Sequence, residues 1–243
     1  MSEKIDSLFR DPMRGAGPFR FDQDVVDVFP DMIRRSVPGY ETVVAMSGLL
    51  AGRFARNDTS LYDLGCSLGA TLLSMRHQVR DRTCRIIGID NSAAMLKRCE
   101  LVLARDPNTI PVTLLEQDVN DVSFETASVV ASNYTLQFIP QTQRTDLLAR
   151  VFEALTPGGV FILSEKVLFE DEALQRLNVD LHHDFKRAHG YSELEIAGKR
   201  DSLENVLVAE TLVAHRERLH QVGFSSCDVW FQCFNFASMI AIK

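Results

Sequence analysis

Between residues 60 and 165 five short apolar runs, "LYDL", "RIIGI", "VTLLE", "ASVVAS" and "GVFILS", alternate with stretches of helical character. Nothing else in the chain constrains its fold as strongly. Brief, nearly continuous apolar runs separated by helices mark parallel strands buried on both faces, each joined to the next by a crossover helix. The expected class is α/β, a doubly wound, mostly parallel seven-stranded sheet. Upstream, Val43, Met46, Leu50 and Phe54 recur on one face of a helix, and "VPGY" separates that helix from another before it. Downstream, the stretch from 168 to about 222 carries helical signals such as "DEALQRLNVDLHHDFKRA" and no strand. It predicts the sheet's usual helix plus an inserted helical cap at about 168–205. "CDVWFQCFNF" and "ASMIAIK" predict a C-terminal antiparallel hairpin. Residues 1–20, with Pro12, Gly15, Gly17 and Pro18, read as an irregular N-terminal arm ahead of a single domain over 21–243.

Charge and cysteine usage exclude several functions. Lys and Arg number 26 against 33 Asp and Glu, and the net charge of −7 repels a polyphosphate backbone, so direct nucleic-acid binding is not expected. No apolar run approaches the ~20 residues of a membrane span. "MSEKIDSLFRDPMRG" lacks the apolar core of a secretory signal, which predicts a cytoplasmic protein. The five cysteines contain no CxxC and read as reduced packing thiols. His182 and His183 are adjacent and project apart on a helix, with His189 a further six residues on, so no metal site is expected.

In an open parallel sheet the ligand crevice lies beyond the carboxyl ends of the strands, where strand order reverses. Polar residues and glycines stand at those ends: Gly65, Cys66, Ser67 and Gly69 after the first strand, Asp90 and Asn91 after the second, Asp118 and Val119 after the third, Asn133 after the fourth. Glycine lets backbone approach a ligand closely, and a following helix N-terminus favours an anion. Asp90 is placed to accept hydrogen bonds from both hydroxyls of a ribose. Asp118 or the Val119 amide suits an adenine edge, and Asn133 suits the amino-acid end of an adenosyl ligand. At Cys66 the backbone is the expected contact, since no neighbouring base would make its thiol a nucleophile. The nicotinamide fingerprint G-x-G-x-x-G is not met, because "GCSLGA" has no middle glycine to admit a pyrophosphate.

"DLGCSLG" resembles the signature of class I S-adenosylmethionine-dependent methyltransferases, and "LTPGGVFILSEK", placed before the fifth strand, resembles a later motif of that Rossmann-like fold. "FPDMIRRSVPGY", "TLQF", "HHDFKRAHGYSELEI", "KRDSLEN" and "WFQCFNF" are similar to blocks of the carboxy-S-adenosyl-L-methionine synthase family. The resemblance implies an enzyme that moves the carboxyl group of prephenate onto the methyl carbon of S-adenosyl-L-methionine, which serves as substrate, without a metal. It also implies a homodimer, whose product a separate tRNA carboxymethyltransferase uses in wobble-uridine modification. By the same resemblance Arg200 is the cation for the new carboxylate and Tyr40 lies against the adenosyl ligand. Lys199 is expected to face solvent. An ordinary small-molecule methyltransferase, and a non-catalytic adenosyl-ligand sensor or scaffold, are the alternative readings.

Overall fold

A computed structural model gives the architecture for residues 4–11, 19–79, 83–108 and 110–243. Helix α1 (Gln23–Ser36) starts at Asp22, whose carboxylate accepts the Val25 N–H at 3.1 Å. The break at "VPGY" is a left-handed Gly39 (φ 76°) packed under the Phe231 ring, after which α2 (Tyr40–Phe54) begins. The buried line of α2 is Val43, Ser47, Gly48 and Ala51, whereas Met46, Leu50 and Phe54 are half-buried on its flank. Small residues prevail there because α3 (Ala70–Gln78) lies so close that a Cβ on Gly48 would stand 2.1 Å from Ser74 Oγ.

The expected alternation follows: β1 (Ser60–Leu64), α3, β2 (Arg85–Asp90), α4 (Ala93–Leu103), β3 (Val112–Glu116), β4 (Ala127–Asn133), α5 (Gln141–Ala154) and β5 (Leu155–Leu168). Next come α6 (Glu172–Ala188), α7 (Glu193–Leu203), β6 (Glu210–Thr211), α8 (Leu212–Gln221), β7 (Ser226–Cys233) and β8 (Phe236–Ile242). The strand order is β3-β2-β1-β4-β5-β8-β7, parallel from β3 to β5, with β8 antiparallel to both β5 and β7. Alternate strand residues separate two cores. Leu61, Ile86, Val129 and Ile162 face α2 and α3, while Tyr62, Ile87, Val130 and Phe161 face α5 and α8.

Three expectations need correction. Seven strands form the main path, but an eighth, the two-residue β6, pairs with Val167 and Leu168 inside the stretch expected to hold no strand. "LTPGGVFILSEK" does not precede the fifth strand but lies within it, β5 running unbroken for 14 residues. The N-terminal arm is not irregular throughout. Leu8–Arg10 form a 3-10 turn that buries Phe9 against Gly198 of α7, whereas Pro12, Gly15, Gly17 and Pro18 lie outside the described residues.

That N-terminal segment ties the helical insertion down. Asp6 accepts a hydrogen bond from the Tyr191 hydroxyl, and its own N–H donates to Asp31 of α1 at 2.7 Å. Arg35 bridges the same elements, donating to Asp31 Oδ2 at 2.9 Å and to the His189 carbonyl at 2.6 Å with its guanidinium 3.9 Å above the Tyr191 ring. Together α1, α6, α7 and residues 4–11 roof the carboxyl end of the sheet.

Candidate functional site

Under this roof is a cavity of about 1000 Å³, beside the point where strand order reverses between β1 and β4. Tyr40, Gly65, Cys66, Ser67, Asp90, Asn91, Asp118, Val119, Asn133 and Arg200 all line it. For all of these but Tyr40 of α2 and Arg200 of α7 the sheet explains the convergence, since parallel strands end on the same side and hand their next residues to one crevice.

The turn after β1 is held in a costly backbone shape. Gly65 (φ 74°) and Gly69 (φ 85°) are left-handed, and so are two non-glycine residues at the cavity, Ser67 (φ 49°) and Tyr134 (φ 63°). A Cβ on Gly65 would meet Thr135 Oγ1 at 2.1 Å. The turn's amides are used locally: Gly65 and Cys66 donate to the Ile89 carbonyl at 2.8 and 2.9 Å, and Ser67 donates to Asp90 Oδ2 at 2.8 Å. Among the described residues the first-turn amides of α3 at Ala70 and Thr71, both of which line the cavity, are donors of this corner left without a partner. Cys66 was expected to offer its backbone, but its N–H is taken by Ile89 and its carbonyl accepts from Gly69. Its thiol is buried, its pKa raised by a hydrogen bond with Cys99 and by burial, which keeps it in the unreactive thiol form.

Asp90 also receives the Ser92 N–H at 2.9 Å, so the carboxylate that organises the turn stands at the rim of the crevice, its pKa raised chiefly by burial. Asp118 accepts the Asn120 N–H at 2.8 Å. Asn133 departs from its expected role. Its Nδ2 donates to Ser47 Oγ at 3.3 Å and Thr71 Oγ1 at 3.1 Å, and its Oδ1 accepts from Ser164 at 2.7 Å. Both amide hydrogens are engaged with protein, so this side chain braces α2, α3 and β5 around the cavity.

Asp63, which sequence reasoning passed over, is a stronger polar feature. It is the last residue but one of β1, lines the cavity at 2% exposed, and among the described residues its Oδ2 has no hydrogen-bond partner. Burial, reinforced by Asp90, raises its pKa to about 8. An orphaned buried carboxyl of this kind fits an incoming ammonium group. Tyr40 lies nearby, its ring 6.2 Å from Tyr134 and its phenol pKa raised by burial and then by Asp63. Phe19, Phe21, Phe29 and Phe138 form an apolar wall in which Phe21 meets Phe138 edge-on at 5.5 Å.

Basic groups occupy the side formed by β5, α6 and α7. Lys199 does not face solvent: it is 7% exposed, its ammonium donates to Ser36 Oγ at 2.9 Å and stands 5.9 Å from the Tyr191 ring centre. Burial lowers its pKa to about 8. Lys166 and Lys186 also line the cavity. Arg200 does so from its rim, 65% exposed, with Nε and Nη2 both 3.1 Å from Asp201 Oδ1. A sequence signal for Lys186 existed, because it stands four residues after His182 and so shares its face of the helix. His182 and His183 both reach the cavity, their ring centres 6.4 Å apart. His182 Nε2 donates to the Ser36 carbonyl at 2.8 Å, and burial, then Lys186, lowers its pKa to about 3. Among the described residues no group of three or more His, Cys, Asp or Glu side chains is placed to hold a metal ion.

Residues 61–159 match a family model described as a methyltransferase domain. A carboxy-S-adenosyl-L-methionine synthase of Geobacter sp. (strain M21) is 53% identical over 244 residues, covering 100% of each chain. One of Aliivibrio fischeri (strain ATCC 700601 / ES114) is 52% identical over 238 residues, covering 98% of each. Among solved structures, a SAM-dependent methyltransferase from Aquifex aeolicus superposes with a TM-score of 0.60 at 13% identity, covering 92% of this chain and 99% of that one, a likeness of fold.

Proposed function

Because the chain belongs to the carboxy-S-adenosyl-L-methionine synthase family and is a transferase of that kind, we propose that prephenate supplies the carboxyl group it places on the methyl carbon of S-adenosyl-L-methionine. The observation that carries this reading is a single cavity of about 1000 Å³ joining the adenosyl-type strand ends to a basic wall. That volume is at the upper end of the ~300–1,000 Å³ of small-molecule sites, which suits two reactants held side by side.

The sulfonium supplies an acidified methyl group. Overall, prephenate loses carbon dioxide and its ring hydroxyl to become phenylpyruvate. The methyl proton leaves with that hydroxyl as water, and the methyl carbon bonds to the carbon dioxide. The chain's own residues position and neutralise. Asp90 takes the ribose hydroxyls, Asp118 and the Val119 amide the adenine edge, and Asp63 the ammonium of the amino-acid end. The α3 first turn takes its carboxylate, and Tyr40 covers the sulfur side. Arg200 receives the new carboxylate, for which a planar guanidinium offers two parallel donors. The phenylalanine wall and the roof keep water from the reacting carbon.

In this reading the protein is a cytoplasmic homodimer that touches no RNA, in keeping with its net charge of −7. Its product goes to a separate tRNA carboxymethyltransferase. The test is mass spectrometry of the small molecules after incubation with S-adenosyl-L-methionine and prephenate. A product heavier than S-adenosyl-L-methionine by one carbon dioxide, together with phenylpyruvate, is expected from the native protein and is largely lost with Arg200→Ala. No such product from the native protein overturns the donor, and full activity of Arg200→Ala overturns the assigned cation.

A further inference from the structure

Lys166 follows the buried run of β5 and Lys186 lies on the inner face of α6, 7% exposed. Both line the cavity, and among the described residues neither ammonium group has a hydrogen-bond or ion-pair partner. Lys199 differs, because Ser36 and the Tyr191 ring hold its ammonium and Asp6 favours its charge. The groups facing Lys186 are themselves basic. Burial, then Lys199 on α7 and Lys166 on β5, lowers its pKa to about 7, and His182 and His183 on its own helix are held toward the neutral form by burial and by Lys186. A chain of net charge −7 thus brings a buried and a half-buried lysine to one cavity with, among the described residues, no counter-ion. Buried charge is costly unless paired, and a pair of mutually repelling ammoniums is costlier still. An anion entering the cavity removes both penalties.

We propose that Lys166 and Lys186 are the seat of the carboxyl donor, a small molecule carrying two carboxylates, and that Arg200 and Lys199 are not part of that seat. This deepens the reading of the site given above and rests on its donor being a dicarboxylate. Two separate basic stations follow. The lysines hold the donor's carboxylates, while the guanidinium at the rim meets the carboxylate created by the reaction. Two point charges on flexible stems suit a substrate whose own charge changes during turnover, because an ammonium imposes no planar fork on its partner.

The decisive experiment compares Lys166→Met, Lys186→Met and the native enzyme in three measurements. The KM for prephenate should rise about 30-fold or more in each variant, the factor for losing ~2 kcal/mol from a buried charge pair, with the KM for S-adenosyl-L-methionine unchanged. Without donor the variants should melt no lower than the native protein, because methionine keeps the stem and removes an unpaired buried charge. Malonate, a plain dicarboxylate, should raise the native Tm and not that of either variant. An unchanged prephenate KM overturns the seat, and so does a lowered Tm without donor, which would show the lysines to be structural. If the native enzyme makes no product from prephenate, the donor reading fails, and the malonate arm still decides whether the lysines bind dicarboxylates.

Discussion

Substituting Gly65 by alanine tests whether the turn after β1 has the geometry on which the crevice depends. At φ 74° an L side chain costs ~1–2 kcal/mol in the left-handed region. The added Cβ would also lie 2.1 Å from Thr135 Oγ1, 2.7 Å from Cγ2 and 2.9 Å from Cβ. No rotamer of Thr135 clears all three atoms, so the backbone entering the 3-10 turn at Leu136–Phe138 must shift, an overpacking penalty of ~1–3 kcal/mol. The two add to about 2–5 kcal/mol, a large part of the ~5–15 kcal/mol stability of a typical domain. Gly158→Ala is the matched control. Its φ is 73°, but its Cβ would meet only the end of the Arg56 side chain, at 2.9 Å, which can swing away. It should lose only the dihedral part, ~1–2 kcal/mol. Urea unfolding with linear extrapolation measures both variants, and calorimetric titration with S-adenosyl-L-methionine reports the crevice, which Gly65→Ala should weaken and Gly158→Ala should spare. If Gly65→Ala loses no more stability than Gly158→Ala, the close approach of Thr135 is not a feature of the folded protein and the reasoning fails.

Three further outcomes follow from buried groups. His215 is 3% exposed, among the described residues neither of its ring nitrogens is bonded, and burial lowers its pKa to about 4, so the unfolded chain takes up a proton from about pH 6.5 downward that the folded chain refuses. Stability from this group is therefore lost as pH falls from 6.5 to 4, and His215→Phe should flatten the measured pH dependence there by ~1.4 kcal/mol per pH unit. Glu210 pairs with the fully buried Arg144 and, at 2.6 Å, with Arg218, so Glu210→Ala should cost ~3–5 kcal/mol in chemical unfolding, while a loss under 1 would refute the pair's importance. Cys227 and Cys233 are partly exposed while Cys66, Cys84 and Cys99 are buried, so a thiol reagent should label two sites in the native protein and five after unfolding.

The parts of this molecule legible in its sequence are those that local pattern dictates. Apolar runs mark β1 to β5, and because parallel strands end together, the residues that follow them in the sequence belong to one crevice. What was not legible depends on distant partners. Lys199 is buried because Ser36, 163 residues earlier, receives its ammonium, and the Asn133 amide is engaged because Ser47 and Thr71 come from two helices packed side by side. Asp63 reads as one more residue of a strand until the roof above it closes. β6 is two residues long and has no period to detect; only the end of β5 beside it makes it a strand.

β5 carries a consequence for how such a chain can diverge. Glu165 faces one way, its oxygens receiving the Leu136 and Gln137 amides at 2.9 and 3.0 Å, and Lys166, next in line, belongs to the cavity. Losing one codon between Gly159 and Ser164 would swap the two faces for the remainder of the strand, moving Glu165 away from the Leu136 and Gln137 amides into the place of Ser164, Lys166 into its place under the 3-10 turn, and Val167 into the place where Lys166 meets the cavity. Descendants can therefore exchange residues along β5 freely by comparison with changing its length, and insertions or deletions should collect in the connections on either side of it.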